Sequence, residues 1–344
     1  MTPSFWKGKR VLVTGHTGFK GGWLSLWLQY LGANVVGYSL EPTAKPSLYD
    51  EALVYENMVS IHDDIRNIEK LKSIFSKYKP EIVFHLAAQP LVLPSYESPS
   101  ETYEVNVMGT LNVLEAIREC DSVKAGVFIT SDKCYENKEW VWGYRENDPM
   151  GGYDPYSSSK GCAELLIASY RSSFFSQNKI NQNNVAIASA RAGNVIGGGD
   201  WGENRLVPDL IKAFSNKNEA VIRNPDAVRP WQHVLEPLAG YLVLAENLIS
   251  DNDNSFTGAW NFGPDQADAQ PVKWVADKIV NCWPSEANWK IDERHYPHEA
   301  NYLKLDCSKA LSRLNWSPKW NLDETITKVD DWYLAFNNKK DVKE

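Results

Sequence analysis

Cysteine is sparse in this chain and poorly placed for cross-linking. The five residues, Cys120, Cys134, Cys162, Cys282 and Cys307, are scattered, odd in number and without metal-ligand spacing. That excludes a disulfide framework or a zinc motif, and no metal is expected. Long hydrophobic runs are missing too. No window approaches ~18 uninterrupted apolar residues, so no membrane span is expected. The opening Met-Thr-Pro-Ser-Phe-Trp-Lys-Gly-Lys-Arg has no apolar signal core. Together these absences point to a reducing, cytoplasmic setting. Positive charge is in deficit, with 36 Lys and Arg against 44 Asp and Glu, a net −8. Nucleic acid is therefore an unsuitable main partner. No internal repeat and no low-complexity segment is seen.

What the chain does have is size and apolar content. Its 344 residues, 43% of them hydrophobic, suffice for one large α/β domain or a nucleotide domain with a smaller lobe. Most of the fourteen tryptophans are expected in the core or at subunit contacts. Strand-like and helix-like segments alternate through the first half. Strands are expected at Arg10–Thr14, Asn34–Leu40, Val59–Ile61, Glu81–Ala88, Val127–Thr130 and Val185–Arg191, all short apolar runs suited to a buried parallel sheet. Helices are expected at Gly22–Leu31, Asn67–Tyr78, Thr102–Glu119 and Pro155–Phe175. Repeated β-α units of this kind wind right-handed into a doubly wound, Rossmann-type parallel sheet. After Gly197 the alternation breaks, which predicts a smaller, mixed C-terminal substrate lobe. The expected division is 1–190 for the nucleotide domain, with some later segments returning to it, 191–335 mainly for the lobe, and a frayed tail from 336 to 344.

Gly15, Gly18 and Gly21 fall between the first strand and the first helix. Gly15 permits a tight turn, Gly18 lets backbone approach a pyrophosphate, and Gly21 lets the helix pack closely. The alternative is a structural strand-to-helix turn, and the β-α-β setting favours a dinucleotide. Asp64 suits either an adenine contact or a helix cap ahead of Asn67. The second strand ends near Glu41, slightly late for a ribose 2′-hydroxyl, with no arginine nearby for a 2′-phosphate. NAD is therefore expected over NADP.

Tyr156 and Lys160, in Tyr-Ser-Ser-Ser-Lys, fall one helical turn apart on one face. A neighbouring ammonium and a cationic cofactor would lower the tyrosine's pKa, so that it can accept a proton from a hydroxyl. Thr130-Ser131-Asp132-Lys133 follows the fifth strand, at the sheet edge where ligands bind. Alcohol oxidation needs only a polar group such as Ser131 there. An added carboxyl and amine suit an elimination: one group withdraws a proton beside a new ketone and the other protonates a departing hydroxyl. The bland alternative is a surface turn with a local ion pair.

From about Phe5 to Trp320 the chain resembles the extended short-chain dehydrogenase/reductase family, in its epimerase/dehydratase group. The likeness rests on Val-Thr-Gly-His-Thr-Gly-Phe-Lys-Gly, His85-Leu-Ala-Ala-Gln-Pro, Asn106-Val-Met-Gly-Thr, Thr130-Ser-Asp-Lys-Cys-Tyr, Asp154-Pro-Tyr-Ser-Ser-Ser-Lys, Arg191-Ala-Gly-Asn-Val-Ile-Gly-Gly-Gly-Asp-Trp and Arg229-Pro-Trp-Gln-His-Val. Ser-Asp-Lys with the glycine and Arg-Pro-Trp-Gln stretches resembles the CDP-glucose 4,6-dehydratase branch, because the dTDP-glucose branch carries Asp-Glu at that place.

The resemblance implies a hydro-lyase of deoxysugar biosynthesis for O-antigen-type polysaccharide. CDP-glucose would be oxidised at C4, lose water across C5 and C6, and regain hydride at C6, giving CDP-4-keto-6-deoxy-glucose with no net use of NAD. Ser131, Asp132, Lys133, Tyr156 and Lys160 would be catalytic, Lys133 taking the C5 proton and Asp132 protonating the C6 hydroxyl. The cofactor would touch Gly15, Thr17, Gly18, Phe19, Lys20, Gly21, Asp64, Ile65, Leu86, Ala87, Ala88, Asn106, Thr130, Tyr156 and Lys160. The substrate would touch Gln89, Asn194, Arg205, Arg223, Arg229 and Tyr302, the arginines forking onto the diphosphate. Arg191 is a further diphosphate candidate. His233 and Glu164 read as structural and as solvated, respectively. Pairing of the helices around 102–119 and 155–175 would make a homodimer or homotetramer. Three other functions remain open: a dehydratase acting on another NDP-hexose, since some UDP-N-acetylglucosamine dehydratases also carry Asp-Lys; a nucleotide-sugar 4-epimerase, which has no use for Asp132-Lys133; and a cofactor-bound scaffold without chemistry.

Overall fold

The structure, a computed structural model, describes residues 1–175, 184–251, 253–284, 286–294, 296 and 300–343. Seven strands form one sheet: β1 (Arg10–Thr14), β2 (Asn34–Ser39), β3 (Val59–His62), β4 (Ile82–His85), β5 (Ala125–Ile129), β6 (Ala186–Ala192) and, after the short lobe strands β7 (Val195–Ile196), β8 (Ala220–Ile222), β9 (Val228–Pro230) and β10 (Gln232–His233), β11 (Gly258–Phe262). Their order is β11-β6-β5-β4-β1-β2-β3, every pairing parallel. The chain reverses direction across the sheet between β1 and β4, which opens a crevice at their carboxyl ends. β4 is shorter than its apolar run because Leu86 and Ala87 turn out of the ladder. The Leu86 amide still reaches the Thr14 carbonyl at 3.2 Å but shares its bond with Thr14 Oγ1 at 3.1 Å, and the Ala87 amide donates to Thr14 Oγ1 at 3.2 Å.

Apolar side chains cover both faces of the sheet. Helices Phe19–Tyr30 and Leu235–Ser250 pack on one side, with Val11, Val13, Phe84, Ala188 and Trp260 fully buried. Helices Ile68–Tyr78, Gly109–Arg118 and Pro155–Phe174 pack on the other. A third core of Ile211, Val275, Ile279, Val329 and Tyr333 knits together helices Leu206–Ser215, Val272–Cys282 and Leu322–Asn337. The short pairs β12 (Ala269–Pro271) with β9 and β13 (Trp289–Ile291) with β8 brace this lobe. Beyond the last helix, Lys343 pairs with Glu56. Among the described residues, no helix is long and apolar enough to cross a membrane.

Two helix boundaries differ from the periodicity. The first helix begins at Phe19, inside the glycine run, because glycine is no obstacle where its missing side chain is what the packing requires. The helix expected over 102–119 is broken into Pro99–Tyr103, a π-turn over Glu104–Met108, and Gly109–Arg118. The extra residue of a π-turn turns Asn106 inward. Its Nδ2 donates to the Gln89 carbonyl at 3.0 Å and to Ser159 Oγ at 2.8 Å, and its Oδ1 accepts the Gln89 amide at 2.8 Å.

Glu164 and Arg191 correct the sequence reading. Glu164 is buried, not solvated, and Arg191 lies against it on the helix side of β6, away from the crevice. Arg191 donates to Glu164 Oε2 at 2.7 Å and Ser189 Oγ donates to the same oxygen at 2.8 Å, while Thr130 Oγ1 donates to Oε1. A helix period reports which face a residue occupies, but not that a strand from elsewhere presents a cation to it. Burial alone would raise the Glu164 pKa. The Arg191 charge and the three hydrogen bonds outweigh burial and hold the carboxyl below its ordinary 4.5. Its contribution to stability is thus complete above pH 4.5 and is lost as pH falls through the lowered folded value. Replacing Glu164 with Ala strands a buried guanidinium, which should cost about 3 kcal/mol. A urea midpoint equal to wild type at pH 7 would show the pair to be dispensable.

Candidate active site

The crevice widens into a cavity of about 570 Å³ between the sheet's carboxyl edge and the lobe. Its inner end is the glycine run. Gly15 has φ +76°, and a Cβ there would lie 2.7 Å from the Ala87 amide nitrogen. A Cβ on Gly21 would lie 2.0 Å from the Gly15 carbonyl oxygen. The loop is therefore drawn onto itself and onto the chain leaving β4. Gly18 caps the following helix without a side-chain bond, so the first-turn amides face the cavity as an anion site. His16 beneath the loop is held neutral: burial, helped by His62, pushes it down to about 3, and its Nε2 meets Ser60 Oγ at 2.7 Å.

The rim beyond this loop carries acids. Glu41 lines the cavity and forms an ion pair with His62. Asp64 also lines it, but its carboxylate is bidentate to Arg66, at 2.6 and 3.0 Å. The helix cap is Asn67 itself, whose side chain accepts the Lys70 amide at 3.2 Å. Asp64 is therefore not the cap. Ile65, Leu86, Ala87 and Ala88 complete the apolar walls.

The floor holds the polar constellation expected from the sequence. Asp154 caps the long helix by accepting the Ser157 amide at 2.9 Å, and Pro155 starts it, which fixes Tyr156 and Lys160 toward the cavity. Both are buried. Tyr156 responds to that burial. Burial pushes its phenol up to about 12, against a lowering hydrogen bond with Ser131 and the charge of Arg205. Burial pushes the neighbouring Lys160 ammonium down to about 8, with Glu164 opposing, so it still carries charge at neutral pH. Lys20, which the resemblance placed at the cofactor, is driven to about 8 by burial while Asp132 attracts it and Arg205 and Lys160 repel it.

After β5 the chain makes a 3₁₀ turn over Asp132–Cys134, with Ser131 capping it by accepting the Lys133 amide at 3.2 Å. Asp132 is 2% exposed. Ser131 Oγ donates to its Oδ1 at 3.0 Å. Burial raises the carboxyl's pKa against the opposing charges of Lys133, Arg229 and Lys20, which favours the protonated, proton-donating form. Lys133 lines the same wall. Tyrosine, lysine, carboxyl and a second amine therefore face one volume, the arrangement for oxidation coupled to elimination and not for a surface ion pair.

Residues 12–329 match the family model described as GDP-mannose 4,6 dehydratase. The chain belongs to that family. Over 339 residues it is 54% identical to the CDP-glucose 4,6-dehydratase of Salmonella typhimurium (strain LT2), covering 98% of this chain and 94% of that relative. It is 24% identical to the CDP-paratose 2-epimerase of Salmonella typhi, over 94% of this chain and 98% of that one. A dTDP-glucose 4,6-dehydratase from Bacillus anthracis in complex with NAD shares the fold with a TM-score of 0.78 at 18% identity, covering 98% of this chain and all of that one. A UDP-glucose 4-epimerase from Thermotoga maritima with UDP-glucose does so at 0.79 and 23%, over 95% and 99%.

In this member of the GDP-mannose 4,6 dehydratase family, most of the residues expected at the site line the cavity, among them Thr17, Phe19, Thr130, Asn194, Arg205, Arg223 and Arg229. Arg205 is anchored by Asp200, at 3.0 and 3.1 Å, and Arg223 donates to the Asn204 carbonyl at 3.1 Å. Three residues are not on the cavity wall. Asn106 is a clamp between the Gln89 backbone and the tyrosine helix. The Gln89 side chain is spent on Thr102 Oγ1, at 2.9 Å, and on the Leu91 backbone. Tyr302 lies behind β9, bridged to Val228 and covered by Lys304. His233 is buried, and its Nδ1 accepts the Leu235 amide at 3.2 Å, a structural role.

Gly193 was missed, although its place just before Asn194 in a strand exit was visible. A Cβ there would meet Pro230 Cγ at 2.6 Å and Asp132 Oδ2 at 2.9 Å. Gly193→Ala should displace the carboxyl and lower turnover on the order of 10²-fold, with the urea midpoint moving far less than for a core deletion. Wild-type turnover in that variant would show that the carboxyl tolerates displacement.

Proposed function

We propose that the chain is a CDP-glucose 4,6-dehydratase using NAD, which converts CDP-glucose to CDP-4-keto-6-deoxy-glucose and water. The observation that carries this is the Asp132-Lys133 pair turned into the same cavity as Tyr156 and Lys160, on a chain 54% identical along nearly its full length to an enzyme of that name. The glycine cradle, which Cβ atoms at Gly15 and Gly21 would fill, fits a dinucleotide pyrophosphate. Glu41 at the rim fits a free ribose 2′-hydroxyl better than a 2′-phosphate. NAD, when bound, supplies reversible hydride acceptance.

The chain's own residues supply the rest. Tyr156 takes the O4 proton, and its raised pKa in the protein alone assigns to the bound cofactor's positive charge the task of making it a base. Ser131 hydrogen-bonds the phenol and holds it in place. The C4 ketone acidifies C5, Lys133 receives that proton, and Asp132 delivers one to the C6 hydroxyl as water departs; Lys133 would hand its proton back to C5 as hydride returns to C6, completing the 6-deoxy product. Arg229, which is buried, with the partly exposed Arg205 and Arg223, binds the diphosphate. An epimerase would need no buried carboxyl and amine beside the tyrosine. Compartment and assembly remain part of the proposal: a cytoplasmic homodimer or homotetramer, paired through helices 99–118 and 155–174, which leave Tyr103, Met108 and Leu165 exposed. Sedimentation should then show no monomer at micromolar concentration.

Incubation with CDP-, dTDP-, UDP- and GDP-hexoses should give a keto-sugar absorbance in alkali with CDP-glucose foremost, and a product lighter by one water. An unchanged product mass would make the chain an epimerase. In the same assay Lys133→Met should abolish solvent exchange at C5 while C4 oxidation persists. Exchange at the wild-type rate would remove the lysine as base.

A further inference from the structure

Three buried polar atoms have no hydrogen-bond partner among the described residues: Asp132 Oδ2, Gln232 Oε1 and the Tyr241 hydroxyl. Each belongs to a residue at most 2% exposed. They lie on three elements: the turn after β5, β10 and helix Leu235–Ser250. Asp132 Oδ2 lies against Gly193. Gln232, two residues past Pro230, donates its backbone amide to the Asn194 carbonyl at 3.2 Å, beside Gly193, and its Nε2 to the Phe262 carbonyl at 2.9 Å. Tyr241, on helix Leu235–Ser250, packs edge-on against the Phe262 ring at 5.5 Å. The one charged group acting on its hydroxyl is Asp132.

Unpaired buried polar atoms are rare, and the usual remedy is an ordered water with about three partners. Here the donor count closes. Gln232 Oε1 only accepts, Asp132 Oδ2 accepts when the acid's proton is on Oδ1, and the tyrosine hydroxyl can donate. One water donating twice and accepting once satisfies all three.

We propose that a single buried water, held by Tyr241 and Gln232, donates to Asp132 Oδ2 and thereby positions the acid with its transferable proton on Oδ1. This rests on Asp132 being the acid of the elimination. Tyr241 and Gln232 are positioning residues, acting through Asp132. The water's hydrogen bond stabilises the carboxylate left when the proton departs. Without it Asp132 holds its proton more tightly. The other groups facing Asp132 are Lys133 and Cys134 in its own turn, Arg229 on β9, Lys20 on the first helix and Tyr156 on the long helix, and none of them is altered by changes at 241 or 232.

The test uses Tyr241→Phe and Gln232→Met in the NAD-loaded enzyme. The carboxylic C=O stretch of Asp132, isolated as the infrared difference against Asp132→Asn, is followed across pH. This readout needs no turnover, so it is independent of the proposed reaction, which fails separately if Asp132→Asn dehydrates CDP-glucose at the wild-type rate. Both variants should retain the band to a pH about one unit higher and lower kcat about tenfold, a shift equivalent to one hydrogen bond to a charged group, with KM within about twofold. An unshifted band in Tyr241→Phe overturns the proposal, whether kcat is unchanged or falls, since a fall alone would be a packing effect.

Discussion

Asp132 is taken out of water at the carboxyl end of β5, and an ionised carboxylate at that depth would cost several kcal/mol unless paired. The surroundings only partly compensate it. Lys133, Arg229 and Lys20 pull the carboxyl toward ionisation, but burial outweighs them, and the one hydroxyl touching Oδ1 is that of its neighbour Ser131. The result is a carboxyl raised above its ordinary value in a crevice whose buried amines are lowered. Lys20 and Lys160 are both brought to about 8 by the same desolvation. One physical cause, exclusion of water from the floor of a crevice, therefore shifts carboxyl and amines together.

That exclusion depends on backbone approaches only glycine allows. Gly15 is pressed against the amide of Ala87, and Gly193 against Pro230 and the carboxyl itself. The first approach closes the phosphate end of the crevice and the second closes the acid end. Between them, the Asn106 clamp ties the loop after β4 to the tyrosine helix, and a hydrogen-bonded chain from Thr14 through His85 and Thr110 to the Asn106 carbonyl links that clamp to the edge of β1. His85 serves as a neutral relay, since burial and then Lys160 push it down to about 3. The chemistry is thus held by strand ends and helix starts and not by mobile loops, which suits a reaction that must keep one sugar in register through oxidation and elimination.

The parallel sheet was legible because its strands are continuous apolar runs, and the cofactor loop because three glycines separate a strand from a helix. Tyr156 and Lys160 were legible from their spacing of one helical turn. Glu164 was misread because a helix pattern shows a polar residue one turn past Lys160 and cannot show Arg191 arriving on β6. Asn106, Gln89 and Tyr302 were assigned by resemblance to ligands, whereas the side chains of Asn106 and Gln89 are consumed by scaffold contacts that a linear motif does not record, and Tyr302 is not on the cavity wall.

The sequence alone determined which chemistry is available: a glycine turn that admits a phosphate, a tyrosine one turn from a lysine, and an acid beside an amine at a strand end. These are local features, fixed by spacing over a few residues and by what each side chain can donate or accept. Only the tertiary structure decided the protonation and facing of those groups, because burial, the sign of neighbouring charges, and the wedge of Gly193 and Pro230 behind Asp132 arise from segments up to about a hundred residues apart that meet only when the sheet closes under the lobe.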